Sequence, residues 1–172
     1  MQIIIEKAAT PEIETVSAIL QESAAWLINR GEKLWELDEL NSAKIAEQVQ
    51  SGMFQLAKIN GEAAGCLRFQ LTDEEYWSDV PHSDSAFIHR LAVKRRFAKQ
   101  SVSKVLIDYA KAEAKNLGKK YLRLDCADRE NLRRLYESFG FEFHSEKVRE
   151  PYHVVRYQFR LISKYHQPSS EI

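Results

Sequence analysis

The stretch from Ala86 to Leu117 constrains the fold of this chain more than any other, because it reads as a buried strand, a short basic loop and a helix in direct succession. The first piece, AFIHRLAV, is apolar at nearly every place apart from His89 and Arg90, which is the pattern of a central strand covered on both faces. Further on, Val102, Val105, Leu106, Tyr109 and Ala110 fall at helical spacing, and Gly118 supplies the stop. The loop between them carries Lys94, Arg95, Arg96 and Lys99, with Lys104 in the first helical turn and no acidic residue before Asp108. A helix N-terminus also presents unpaired N–H groups and the positive end of the helix dipole. The junction is therefore a seat for an anion such as a cofactor's phosphate.

The rest of the chain arranges itself around this unit. Gln2 to Lys7 reads as a first strand, and Thr10-Pro11 as an N-cap with a first-turn proline. Ile13, Val16, Leu20, Ala24 and Leu27 then share one helical face up to Gly31. Asn41-Ser42 starts a second helix through Ile45, Ala46 and Val49, closed by Gly52. Met53 to Ile59 and Ala63 to Phe69 flank Asn60-Gly61, a strong hairpin signal, so this pair is antiparallel. Lys120 to Cys126 is a strand, and Asp128 caps a helix carrying Leu132, Leu135, Tyr136 and Phe139 on one face, stopped by Gly140. Phe141 to Val148 and His153 to Leu161 are the last strands, and 164–172 reads as a tail after a single domain over 1–163. The order β-α-α-β-β-β-α-β-α-β-β predicts an α/β sandwich with a mixed sheet.

Polar residues dominate from Thr72 to Asp84, where Asp73, Glu74, Glu75, Asp79 and Asp84 surround Tyr76 and Trp77. This is either a solvated loop or an acidic, aromatic lip over a site for a cationic substrate. Lys plus Arg total 25 and Asp plus Glu total 25, so no global charge draws the chain to nucleic acid or to a membrane surface. Lys94 to Lys104 is a basic patch, but nucleic-acid readers spread such groups among aromatic platforms. Neither nucleic acid nor membrane is expected as a partner. Cys66 and Cys126 match no metal-ligand spacing, no metal is expected, and free thiols suit a reducing cytoplasm. MQIIIEKAAT has too short an apolar run for a signal peptide or a membrane span.

The element order, the unit HRLAVKRRFAKQSVSKVLIDYA and the segment LRLDCADRENLRRLYESFGFEF resemble the GNAT superfamily of N-acyltransferases, over the whole chain. The family's loop motif is Arg or Gln, two residues, Gly, one residue, then Gly or Ala; here those places hold Ala98, Ser101 and Ser103. The second motif matches at Asn131, Leu135-Tyr136-Glu137 and Gly140-Phe141. The resemblance implies a mixed, mostly antiparallel sheet with helices on both faces, acetyl-CoA or another acyl-CoA as cofactor, and a small-molecule or peptide amine as acceptor. It implies cofactor contacts along Leu91, Ala92 and Val93, over Ala98, Lys99, Gln100, Ser101, Val102, Ser103 and Lys104, and beside Asn131 and Tyr136. A homodimer is compatible with the family, and so is a relative that binds acyl-CoA without turnover.

Acyl transfer from a thioester to an amine needs a base for the amine, a donor for the oxyanion and an acid for the departing thiolate. The resemblance makes Tyr136 the acid and the Leu91 N–H a candidate oxyanion donor. By spacing alone Tyr136 would be a core aromatic with Leu132 and Phe139. His89 is a candidate base, since histidine ordinarily titrates near neutrality, or else a hydrogen-bonded core residue. Glu137, Asp125 and Asp73 are alternative bases. Asp73, Trp77 and Asp125 are the expected acceptor-binding residues, and Cys126 reads as a buried thiol.

Overall fold

The computed structural model describes residues 2–161, so the segment 164–172 lies outside the described residues. The elements in chain order are β1 (Ile3–Lys7), α1 (Ile13–Asn29), α2 (Ser42–Gln50), β2 (Phe54–Ile59), β3 (Glu62–Gln70), β4 (Ser85–Val93), α3 (Val102–Asn116), β5 (Tyr121–Ala127), α4 (Glu130–Ser138), β6 (Glu142–Arg149) and β7 (Tyr152–Arg160). One seven-stranded sheet has the order β1-β2-β3-β4-β5-β7-β6, and only β4 and β5 pair in parallel. Among the described residues, no helix is long and apolar enough to cross a membrane.

Each face of the sheet carries its own core. On one face Val16, Ile19, Leu20 and Ala24 of α1 and Ile45 and Val49 of α2 pack on Phe54, Leu56, Cys66 and Ala92. On the other, Val102, Leu106, Ile107 and Ala110 of α3 pack on Ala57, Leu67, Ile88, Leu122 and Leu124. Leu132 and Tyr136 of α4, with Phe139 just past its end, close the second core. Asn60 and Gly61 take φ of 50° and 80°, the left-handed pair that a two-residue hairpin needs. The Asn41 side chain accepts from the Lys44 N–H at 3.0 Å, as an N-cap should.

Two helix starts differ from expectation. Thr10 does not cap α1: it begins a short 3₁₀ turn, Thr10–Glu12, and the Ala9 N–H donates to Glu12 Oε2 at 3.0 Å. Asp128 does not cap α4, because Arg133 Nε takes its carboxylate at 2.6 Å. Arg129 stands at the cap position instead, and its guanidinium reaches across to the carbonyls of Glu32 and Lys33, both at 2.6 Å.

The Thr72 to Asp84 loop is largely exposed but is anchored by two buried residues, Asp73 and Trp77. Trp77 is fully buried, with the Arg156 and Arg123 guanidinium groups 4.6 and 5.2 Å from its ring centroid. Arg156, 4% exposed, grips Asp79 with two hydrogen bonds of 2.6 and 2.9 Å and donates to the Tyr76 carbonyl at 2.9 Å. This clamp fastens the loop to β7. The Arg156 hydrogen bonds hold the Asp79 carboxyl far below its ordinary value.

A carboxyl depressed in this way stabilises the fold above its unfolded pKa and loses that contribution as the pH falls through its folded one. Asp79→Asn should therefore destabilise the protein at pH 7 by about 2 kcal/mol, a value kept modest because half of Asp79 faces solvent. The deficit should shrink as the pH drops below about 4. Urea midpoints of parent and variant at pH 7 and pH 3 check this, and an unchanged gap would place the effect in packing.

Candidate active site

The site begins where the sheet opens. β4 and β5 pair over Ser85–Phe87 and Tyr121–Arg123 and then part, so β4 from Ile88 to Val93 turns an unpaired edge toward β5. The gap widens into a cleft of about 1160 Å³. On the β4 side it is lined by His89, Arg90, Leu91, Ala92 and Val93, with Ser103 at the start of α3. Asp125, Cys126, Asn131, Leu132, Leu135 and Tyr136 line the β5–α4 side.

Beyond β4 the chain enters α3 through a loop with two left-handed residues, Lys99 at φ 64° and Ser101 at φ 63°. Such a conformation is the natural place for glycine, and successive N–H groups in such turns form anion-binding concavities. Ser103 is already inside α3, so of the two serines only Ser101 carries backbone strain, and Lys99 carries it too. No side chain caps α3, which leaves its first N–H groups open. Val102 is buried in the core, so it has only its backbone to offer a ligand.

The loop's positive side chains are partly spent. Arg95 lies 3.9 Å from the Trp26 ring centroid, Arg96 pairs with Glu62, and Lys104 pairs with Asp108 at 2.5 Å. Anion binding here rests chiefly on the backbone. Lys99→Gly and Ser101→Gly should each stabilise the fold by about 0.5–1 kcal/mol through relief of the left-handed strain. Ser103→Gly, inside a helix, should cost about as much. Thermal melts of the three variants give the order directly.

Gly65 of β3 positions this loop. A Cβ there would stand 2.8 Å from the Ala92 carbonyl oxygen and 2.9 Å from Val102, so only glycine lets β3, β4 and α3 meet this closely.

At the other end of the cleft lies a buried polar cluster. His89 Nε2 is 2.8 Å from Asp73 Oδ2, and His89 Nδ1 is 3.7 Å from Asp125 Oδ1. The side chains of Asp73, Asp125 and His89 are 2%, 11% and 12% exposed. Asp73 also accepts the N–H groups of Glu75 and Tyr76 on Oδ1, at 3.1 and 2.9 Å, which fixes the loop around its carboxylate. Burial alone would raise Asp73, but the His89 hydrogen bond and charge, the Tyr76 N–H and Arg68 together hold it below its ordinary value. Burial pushes Asp125 up; His89 opposes the rise and Asp73 adds to it.

Asp73, His89 and Asp125 bring donor atoms within 4.8 Å of one another. The positive charge of Arg68 acts on both carboxylates and lowers each of them.

Burial raises the Tyr136 hydroxyl well above its ordinary value, and the nearby Cys126 and Asp125 push it the same way. It keeps its proton at any physiological pH. Tyr136 is both core and cleft: its ring meets Phe141 edge-on, 6.2 Å between centroids, while the residue lines the gap. Cys126 is a buried thiol held up at about 12, as expected, and Glu137 accepts the Tyr157 hydroxyl at 2.8 Å.

Trp77 must be withdrawn as an acceptor-binding residue, since its ring is enclosed by the Arg156 clamp. Asp73 lines the cleft but spends its carboxylate on His89 and the loop backbone. Arg68 and Arg90, also in the cleft wall, were not singled out from sequence; His89-Arg90 as the polar break in an apolar strand was the signal for one of them.

The profile of the acetyltransferase (GNAT) family matches residues 17–141. The chain belongs to this family. GNAT relatives sharing its sequence include the uncharacterized N-acetyltransferase YesJ of Bacillus subtilis (strain 168), 30% identical over 143 residues, which cover 79% of each chain. Among solved structures, an acetyltransferase of the GNAT family from Listeria monocytogenes superposes with a TM-score of 0.78 at 24% identity, covering 92% of this chain and 95% of that one. YncA from Salmonella typhimurium, solved with its cofactor acetyl-CoA, gives 0.72 at 13% identity over 98% and 99%. The GNAT arrangement that the resemblance implied, with helices on both faces of a mostly antiparallel sheet, is the one observed.

Proposed function

We propose that this GNAT protein transfers an acetyl or other acyl group from a CoA thioester to the amine of a small molecule or peptide. The observation that carries the reading is the parting of β4 and β5, which joins an open strand edge, an uncapped helix N-terminus and a protonated tyrosine in one cleft. The bound thioester supplies an activated acyl carbon and a sulfur leaving group.

The residues of the chain do the rest. The unpaired edge at Leu91 and Val93 receives the pantetheine amides as an added strand would be received, and the Leu91 N–H serves the oxyanion. Backbone N–H groups from Lys99 to Lys104 hold the pyrophosphate, and Asn131 supports the arm from the α4 side. Asp73 accepts the Nε2 proton of His89, which leaves the Nδ1 lone pair on the Asp125 side as the base. His89 takes the amine proton as the C–N bond forms, and Tyr136 gives its proton to the sulfur as the C–S bond breaks. Solvent then carries one proton from His89 back to Tyr136.

Titration of acetyl-CoA by calorimetry tests the seat. The native protein should bind, and the Lys99→Gly/Ser101→Gly protein should bind as tightly or more so. Absence of heat from both would overturn the reading. The glycine-free loop also fits an acyl-CoA binder without turnover, and thiol release in the presence of amines separates the two.

A further inference from the structure

The total charge of the cleft does not choose an acceptor, since equal numbers of basic and acidic residues line it. What chooses is which groups are left without partners. The acidic run that suggested a cationic amine is already engaged: Asp73 by His89, Glu75 by Arg149 and Asp79 by Arg156, while Glu74 lies 80% exposed beside His82. That expectation is corrected by these pairings.

Two arginines of the cleft wall are only partly engaged. Arg68 faces His89 across the β3–β4 register. Its Nη1 donates to Gln48 Oε1 at 3.0 Å, but its Nε is shielded from solvent and unpartnered. Arg90 sits in a bulge, where Arg90 and Leu91 of β4 stand against Leu67 alone of β3, and its φ of 53° marks the kink. There its guanidinium lies 5.2 Å from the Trp35 ring centroid, Nη2 meets Glu39 at 3.3 Å, and Nη1 is buried without a partner. Asp125 Oδ1, 3.7 Å from His89 Nδ1, likewise makes no hydrogen bond. The cleft wall thus holds two half-buried guanidinium groups and a carboxylate near His89, each with one shielded polar atom that lacks a partner.

We propose that the acceptor is an amine that also carries a carboxylate close to its nitrogen, as an α-amino acid does, with Arg68 and Arg90 holding the carboxylate while His89 and Asp125 face the amine. Guanidinium forks match the planar carboxylate, and a buried anion would complete donors that otherwise go unmade. Burial and the like charge of Arg90 depress Arg68 to about 10, and an anion between the two would relieve both effects. Asp125 can accept the amine N–H that points away from His89.

This inference rests on the acyl-transfer reading, and the experiment keeps the two apart. Common α-amino acids are assayed for thiol release from acetyl-CoA, each beside its carboxamide and its decarboxylated amine. The best amino acid should exceed both analogues by about 100-fold or more in kcat/KM, because a site built around a polar group rejects ligands lacking it. Arg68→Gln and Arg90→Gln should each raise the amino acid's KM by about 10-fold to 100-fold and damage kcat/KM for the decarboxylated amine far less. Amino-acid binding is also followed without any CoA through the fluorescence of Trp35, which lies under Arg90. Absence of acetyl-CoA heat overturns the acyl-transfer reading, while the fluorescence titration still decides the carboxylate site. Equal use of amino acid and decarboxylated amine, or equal damage to both in the variants, overturns the proposal. If a glutamine variant melts before assay, the matching lysine variant and the ligand comparison on native protein decide.

Discussion

Tyr136→Phe should melt within about 1 kcal/mol of the parent and acylate an amine about 100-fold to 10,000-fold more slowly. The small stability change follows from what the ring does: its edge-on contact with Phe141 and its packing beside Leu132 and Phe139 need no hydroxyl. The large kinetic change follows from the hydroxyl being a proton source in a place where burial, Cys126 and Asp125 all keep it protonated. A donor to a developing charge acts in the transition state, so the loss should fall on kcat, with acetyl-CoA affinity little altered. A purely structural tyrosine would give the opposite split, a lower melting temperature and near-parent turnover. A variant that melts and turns over like its parent would leave the thiolate to take its proton from water or from the attacking amine.

Asp73→Asn should be a comparably large loss, about 100-fold to 10,000-fold in kcat, in a protein whose fold is almost untouched. The asparagine can keep one oxygen for the Glu75 and Tyr76 N–H groups, so the loop around it persists. The other oxygen becomes an NH₂ group facing His89 Nε2, and a donor there forces the imidazole proton to Nδ1. The lone pair that the reaction needs then points the wrong way. Steady-state kinetics beside a thermal melt reads both halves of this expectation. His89→Gln should match it in rate, and the double variant should be no worse than either single one, because the two residues act as a unit. Additive losses in the double variant would show that Asp73 contributes by something other than orienting His89.

Much of the fold was legible because its signals are local. The Asn60-Gly61 turn, the Asn41 cap and the apolar spacing of α3 are each decided within a few residues, and the order of elements follows from them. The site was less legible because its decisive features are made by residues far apart in sequence. A tryptophan among carboxylates reads as exposed, yet Arg123 and Arg156, arriving on β5 and β7, enclose Trp77. Asp128 has the right side chain for a cap, but Arg133 five residues on outbids the helix N–H groups for it. Neither left-handed residue is a glycine: Ser101 stands at a glycine place of the family motif, but nothing in the sequence marks Lys99, whose strain shows only in its dihedral angles. Arg90 stood out as a polar break in a strand, but the bulge that carries it depends on register with β3.

The three-residue seam between β4 and β5 has a bearing on cooperativity. Strands β1 to β4 form one hydrogen-bonded block and β5, β7 and β6 another, and the ladder joining them is the shortest in the sheet. Sub-global opening concentrates where few hydrogen bonds resist it. His89 belongs to the first block, and Asp125 and Tyr136 follow the seam on the second. An excursion that separates the blocks by a few ångströms would disassemble the reaction centre while nearly every helix and strand stayed intact. Turnover would then fade on warming before circular dichroism registered any change, and the interval between the two would measure how firmly that short ladder holds.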